Sequence, residues 1–342
     1  MNFGIIGCGS IAAVHAEAIK NIKNANLVAC CDIDIDKGKY FARTHFCRFY
    51  ASFQELLHDD TIDVVTIATP HFLHAKMAIM ALNNKKNVIC EKPMAINMAE
   101  AQMVVAAIQN SDCQYTVCYQ NRFNPAMIEL KREILNNQFG KLRGVSGIVT
   151  WHRDANYYNS TNWKGRWSTE GGGVLINQAI HTIDEIYWLA GMPVKIKGKI
   201  MTASLDDTIE VEDSAMATGI LPNNIPIVIF ASNDYSSDPQ PQMLFDFELA
   251  KIKLSANSLY INDEPVLINK QKPTVGKNYW GIGHQKLFET FLDKIVGHTN
   301  ALTSYLPCID AARSLEIVRA IYESDRTNSW VKLNNYVGEN NC

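Results

Sequence analysis

Residues able to do chemistry gather in three short stretches of this chain. The first is Glu91-Lys92-Pro93, which follows Val88-Ile89-Cys90 with no turn residue between them. Three apolar residues suit a buried parallel strand, so the carboxylate and the ammonium fall at its carboxyl end, where open α/β sheets bind ligands. A lysine at the mouth of a buried strand is costly without a partner or a task. Pro93 restricts Lys92 to extended backbone and so aims the ammonium; a plain strand-end ion pair is the alternative. The second stretch is Gly7-Cys8-Gly9-Ser10-Ile11-Ala12, placed where an apolar strand (2–6) turns into a helix carrying Val14, Ala18, Ile19 and Ile22 at helical spacing. That context suits a dinucleotide turn. Gly7 permits the bend, Gly9 lets a pyrophosphate approach the backbone, and small Ala12 allows close packing. The helix start at Ser10 and Ile11 offers free N–H groups to the phosphates. A second strand over 27–31 ends at Asp32, which can accept from both ribose hydroxyls and repels a 2′-phosphate. Ile33 follows with no Arg behind it, so NAD is favoured over NADP. The third stretch is Gly171-Gly172-Gly173, then Asn177, His181 and Asp184. The glycines make a close turn at a helix start. Ile176, Ile180, Ile183 and Tyr187 face a core, and the amide, imidazole and carboxylate lie along the neighbouring stripe.

The elements that must position these groups can be read coarsely. Strands at 63–68, 88–90 and 114–119 alternate with helices at 71–82 and 97–108, the latter with Asn97 as N-cap. Their carboxyl ends put Thr69, Pro70, Glu91, Lys92, Asn121 and Arg122 beside the cofactor, with His74 near it. After Arg122 the rhythm changes. A helix runs from Pro125 to about Asn137 and a strand from Leu142 to Trp151, then comes an aromatic loop with Tyr157, Tyr158, Trp163, Arg166 and Trp167. So much aromatic content in a long loop points to function rather than disorder. Strands at 194–202, 213–220, 225–232, 243–249 and 252–256 and helices at 281–296 and 307–324 complete the chain. The expected architecture is α/β. Residues 1–122 form a doubly wound parallel Rossmann sheet that binds NAD. Residues 123–342 form an α+β domain with an open, mostly antiparallel sheet that binds substrate and mediates oligomerisation. The 342 residues, 47% hydrophobic and 20% charged with a net charge of −3, describe a globular protein with no broad basic surface for nucleic acid. Nine scattered cysteines without a C-x-x-C suggest neither a disulfide frame nor a metal site. No leader or apolar run of membrane-spanning length is evident, so a cytoplasmic location is expected.

Together, the Gly7-x-Gly9-x-x-Ala12 turn, Glu91-Lys92-Pro93 and the triple glycine followed by His181 resemble the glucose–fructose oxidoreductase/inositol dehydrogenase (Gfo/Idh/MocA) family over nearly the whole chain. The resemblance implies NAD(P)-dependent hydride transfer at a secondary alcohol of a sugar, cyclitol or nucleotide sugar. Many members carry Asp four residues before the histidine, where this chain has Asn177. Tyr157-Tyr158, Trp163-Lys164-Gly165-Arg166-Trp167 and Asn177-Gln178-Ala179-Ile180-His181 resemble the UDP-N-acetylglucosaminuronate 3-dehydrogenase branch. The catalytic expectation is His181 as general base, Lys92 stabilising the alkoxide and Asn177 orienting the substrate. Glu91 is expected to pair with Lys92 or nearby backbone, and the Lys92–Pro93 bond to be cis. Arg153, Tyr158, Trp163 and Arg166 are expected at the substrate, the arginines suiting an anionic group. A glycosidase that oxidises C3 transiently with NAD, or a dinucleotide-binding regulator, is the alternative. Open sheet faces would be covered in a homodimer or homotetramer.

Overall fold

The computed structural model describes residues 1–255, 258–268 and 282–333. The predicted helix start at Gly281, strand end at Ala256 and everything after 333 lie outside them. The first sheet takes six parallel strands: β1 (Asn2–Ile6), β2 (Asn26–Cys31), β3 (Arg48–Tyr50), β4 (Val64–Ile67), β5 (Asn87–Cys90) and β6 (Tyr115–Val117). Their order is β3-β2-β1-β4-β5-β6. The order reverses between β1 and β4, so a crevice opens beyond their carboxyl ends. Helices α1 (Ser10–Lys20), α2 (Ile35–His45), α3 (Phe53–Leu57), α4 (His71–Asn83) and α5 (Met98–Gln109) connect these strands. The periodicity did not bring out α2, β3 or α3. Strands β4 and β5 are buried on both faces, which is why they read as continuous apolar runs. Asn97 does cap α5, accepting from the Glu100 N–H at 2.9 Å.

After a 3-10 turn at Gln120–Phe123 come α6 (Pro125–Leu135), β7 (Leu142–Thr150), α7 (Ala155–Asn159), α8 (Val174–Asn177) and α9 (Ile180–Ala190). Strands β8 (Lys195–Met201), β9 (Ser214–Leu221), β10 (Ile225–Ser232), β11 (Gln242–Phe247), β12 (Lys251–Ser255), β13 (Ser258–Ile261) and β14 (Glu264–Pro265) follow, then α10 (Gly283–Ile295), α11 (Ala311–Thr327) and β15 (Val331–Lys332). The second sheet is ordered β14-β13-β12-β11-β7-β10-β9-β8-β15. Among its described strands only β7 and β10 pair in parallel. Alternation sets its two faces. Val145, Ile227, Ile229, Met243 and Phe245 point into the core under α9 and α11, whereas Ile148, Met216, Val228 and Leu244 point outward and are exposed.

The late part of the chain returns to the first sheet. Leu287, Phe288 and Phe291 of α10 enter the same core as Phe3, Ile5, Ala12 and Ile19. The Pro307 carbonyl accepts from Val117 N–H at 3.0 Å and Thr116 Oγ1 at 2.7 Å. Among the described residues seven cysteines are free. Cys308 is disulfide-bonded, which the scattered cysteine pattern did not indicate.

Candidate active site

A cleft of about 1460 Å³ runs from the β1–α1 turn to the aromatic loop. At one end Gly7 has φ 91° and donates to the Cys31 carbonyl at 2.8 Å. A Cβ there would lie 2.6 Å from the Ala68 carbonyl oxygen just after β4, so the β1–α1 turn demands glycine. Gly9 differs, since a Cβ there would meet nothing within 4 Å. The protein leaves open the space beside it, as a bound pyrophosphate would require. Ser10 and Ile11 line the same space, and Ala12 is buried beneath. Asp32 accepts from Cys8 N–H at 2.7 Å and Asp34 N–H at 2.9 Å, which fixes its carboxylate at the cleft wall. Lys37 Nζ stands 3.7 Å from Asp32. These residues fit the adenosine half of a dinucleotide.

Thr69, Pro70, His74, Glu91, Lys92 and Asn121 also line the cleft. The His74 ring spans the Thr69 and Pro93 carbonyls at 2.8 Å each, and so straps the β4–α4 turn to the strand end after β5. The Lys92–Pro93 peptide is cis. Glu91 differs in part from expectation. It accepts the Lys92 backbone N–H at 3.3 Å, but its side-chain partner is His15, whose Nε2 lies at 2.9 Å while its Nδ1 meets Thr66 Oγ1 at 2.8 Å. Burial alone would raise the Glu91 carboxyl, yet the bond to His15 and surrounding positive charge hold it well below the usual carboxylate range. Lys92 Nζ donates to the Asn177 carbonyl at 2.7 Å and to Asn177 Oδ1 at 3.0 Å. Burial lowers the ammonium's pKa, and Glu91 and Glu170 oppose that.

The helix predicted after the triple glycine is broken. Helix α8 ends at Asn177 and α9 begins at Ile180. A Cβ on Gly173 would sit on the Glu212 carbonyl, and Glu212 accepts from Gly173 N–H at 2.9 Å and Leu175 N–H at 3.0 Å, so the close approach is to β9's entry segment. Asn177 and His181 still share the cleft. His181 is half-buried, and its Nδ1 has no partner among the described residues. Burial, then the Lys92 charge, lowers the imidazole to about 3, so it is neutral.

Other predicted residues lie elsewhere. Asp184 does not join Asn177 and His181. It forms a buried two-pronged pair with Arg122 at 2.6 and 2.8 Å, and Arg122 also bonds Asp310 at 2.9 Å. Arg122 therefore faces the core and not the cofactor space. Tyr158 is buried against Leu205 and Ile209, with its hydroxyl accepting from Asn233 at 3.0 Å. Its neighbour Tyr157 lines the cleft instead, accepting from Asn177 Nδ2 at 3.4 Å and Gln178 Nε2 at 3.3 Å. Arg166 is exposed and pairs with Glu210 at 3.3 Å, away from the cleft. Arg153 and Trp163 do line it. The Arg153 guanidinium pairs with Asp238 at 3.0 Å between the Trp151 and Tyr157 rings, and Trp163 packs on His71 at 4.7 Å. Sequence reasoning passed over Glu170, a buried carboxylate beside the triple glycine that accepts from Asn177 Nδ2 at 2.6 Å. Its only sequence signal was an acidic residue next to that turn.

Comparison with known proteins places the chain in a family. Residues 1–119 match the oxidoreductase family with NAD-binding Rossmann fold, Gfo/Idh/MocA, and residues 127–252 match that family's C-terminal domain. Glucose-6-phosphate 3-dehydrogenase of Bacillus subtilis is 30% identical over 247 residues, 67% of each chain. Oxidoreductase P35 of Formosa agariphila is 34% identical over 188 residues, 54% of this chain and 59% of that protein. The WlbA dehydrogenase of Chromobacterium violaceum, solved with NADH and UDP-GlcNAcA, superposes with a TM-score of 0.86 at 26% identity, covering 98% of this chain and 96% of that one.

Proposed function

The chain belongs to the Gfo/Idh/MocA oxidoreductase family and is an NAD-dependent dehydrogenase of sugar-type alcohols, and from that premise we propose that its substrate is a sugar bearing an anionic group, such as a nucleotide sugar or sugar acid. We assign Lys92, His181 and Asn177 the work on the reacting alcohol. The observation that carries the assignment is the Lys92 ammonium, held by Asn177 at 2.7 and 3.0 Å on the cleft wall that neutral His181 shares. His181 takes the hydroxyl proton, and its low basicity keeps it unprotonated beforehand. Lys92 stabilises the oxyanion that develops. Bound NAD supplies the hydride acceptor. Asn177 acts by holding Lys92, its amide being engaged with Lys92 and Glu170, while Tyr157 and Trp163 give the sugar ring an apolar wall. Support for an anionic group comes from Lys164, whose ammonium lines the cleft 3.9 Å over the Tyr157 ring. The Rossmann and substrate domains, divided at residue 122, would thus each contribute one wall.

We further propose a homodimer or homotetramer in the cytoplasm. Exposed Ile148, Met216, Val228 and Leu244 make an apolar sheet face that suits burial against a second copy, and the seven free thiols among the described residues favour a reducing compartment, against the one disulfide at Cys308. Light scattering that gives a clean 38.3 kDa species would refute the assembly. The functional test is NADH formation with cyclitols, neutral sugars, sugar acids and UDP-sugars. Turnover is expected only with the acidic sugars, and Lys92→Ala and His181→Ala should each lose about 10²-fold or more in kcat. Turnover of neutral cyclitols alone would refute the anionic substrate; unchanged kcat in either variant would refute its assigned role.

A further inference from the structure

Building on the reading that Lys92 acts on the substrate oxygen, we propose that Glu170 is the positioning residue for Lys92, acting through the Asn177 amide. The geometry is a directed relay. Glu170 is 1% exposed, and its two oxygens accept from Gly165 N–H at 2.5 Å and Asn177 Nδ2 at 2.6 Å. An amide nitrogen only donates and an amide oxygen only accepts. With Nδ2 committed to Glu170 and, at 3.4 Å, to the Tyr157 hydroxyl, Oδ1 must turn to Lys92, where it accepts at 3.0 Å. A flipped amide would set NH₂ against NH₃⁺ and leave a buried carboxylate facing an oxygen, both costly in an environment of low polarity. The Asn177 carbonyl takes a second Lys92 N–H at 2.7 Å. That leaves the third N–H without a partner among the described residues, on a side chain that lines the cleft. Glu170 thus decides which way the amide faces and, through it, that one Lys92 proton remains for substrate.

Glu170 also supplies charge. It is one of two carboxylates whose field favours the charged form of Lys92, the other being Glu91. Lys164, His71, His74 and His181 surround the same ammonium, and Cys118 lies behind it. Around Glu170 itself stand Lys164, Glu212, Tyr157, Tyr158 and Tyr322. Burial raises the Glu170 carboxyl to about 7, so its negative charge develops near neutrality.

The test is competitive acetylation of Lys92 in the full-length protein across pH, read by peptide mass spectrometry with and without NADH, alongside steady-state kinetics. Glu170→Gln keeps the shape and removes the charge. It is expected to lower the Lys92 labelling midpoint and to cut kcat about tenfold or more while KM stays within about twofold. Moving the carboxylate one link along the relay, as Glu170→Gln with Asn177→Asp, sets it directly against Lys92 and should raise the labelling midpoint again. An unchanged midpoint in folded Glu170→Gln protein overturns the proposal, as does a double variant no better than Glu170→Gln. Should Glu170→Gln fail to fold, Glu170→Asp withdraws the charge from the amide, and the same midpoint must fall. If the wild type turns over no sugar at all, the functional reading above fails, while the labelling result still decides the role of Glu170.

Discussion

Gly7 and Gly9 stand two places apart and make different demands. Gly7→Ala would drive a Cβ to 2.6 Å from the Ala68 carbonyl at φ 91°, with a cost of about 1–3 kcal/mol from the strained backbone. Gly9→Ala meets no protein atom within 4 Å, so thermal stability should hold within ~0.5 kcal/mol while NAD affinity falls, on the order of tenfold. Thermal unfolding and NADH fluorescence titration separate the two; equal losses of stability would sink the distinction. At this scale the sequence was legible where a residue type had few other uses. Lys92 at a strand mouth, Asp32 after β2 and His181 after three glycines all reach the cleft. It was less legible where neighbours compete. Tyr157 and Tyr158 are alike on paper, and only the short helix α7 decides that Tyr157 turns to the cleft and Tyr158 to the core. Arg166 and Arg122 read as ligand-facing on sequence alone because a guanidinium's carboxylate partner, Glu210 or Asp184, is distant in sequence.

Among the elements, the Arg122 pair does the fastening. It joins the turn after β6 to α9 through Asp184 and to the start of α11 through Asp310. Arg122→Ala leaves Asp184 buried and uncompensated, and should destabilise the protein by about 3–5 kcal/mol in urea unfolding. A companion Asp184→Leu change should recover part of that loss, since it removes the stranded charge. If Arg122→Ala unfolds at the wild-type urea concentration, the pair is not a fastening. Long periodic elements were readable, and β10 falls on the predicted 225–232. The break between α8 and α9 was not, because Ile176, Ile180 and Ile183 keep helical spacing across Gln178-Ala179. Strand β3 was hidden by its length of three residues, and β13, β14 and β15 lacked strong alternation.

Over the whole molecule, two groups of buried side chains pull stability in opposite directions with pH. His71, His74, His181 and His284 are held below 6.5, with His181 at about 3 and His284 at about 4, all by burial first. The unfolded chain takes up protons there that the folded chain refuses, so stability is lost as pH falls from 6.5. Burial raises Glu170 and Glu212 to about 7 and Glu185 to about 8 from 4.5. The folded chain then keeps protons that the unfolded chain has released, so stability is lost as pH rises from 4.5 toward 8. Lys131, lowered to about 8 by burial, opposes the carboxyl groups above 6.5, so the thermal midpoint of Glu185→Gln should gain on that of the wild type as pH rises from 6.5 to 8. A difference between the two midpoints that stays constant over that range would contradict the assignment. The packing of α10 on β1 and α1 has a consequence in time. Phe288 and Phe291 complete the core around Phe3 and Ile5, so a nascent chain that has delivered every strand of the first sheet still shows an unfinished apolar face. The cofactor-binding half is first to be synthesised and among the last to close. A fragment ending at residue 122 should bind hydrophobic dyes and retain no NAD, leaving that long interval on the ribosome as the moment when the protein most needs a chaperone.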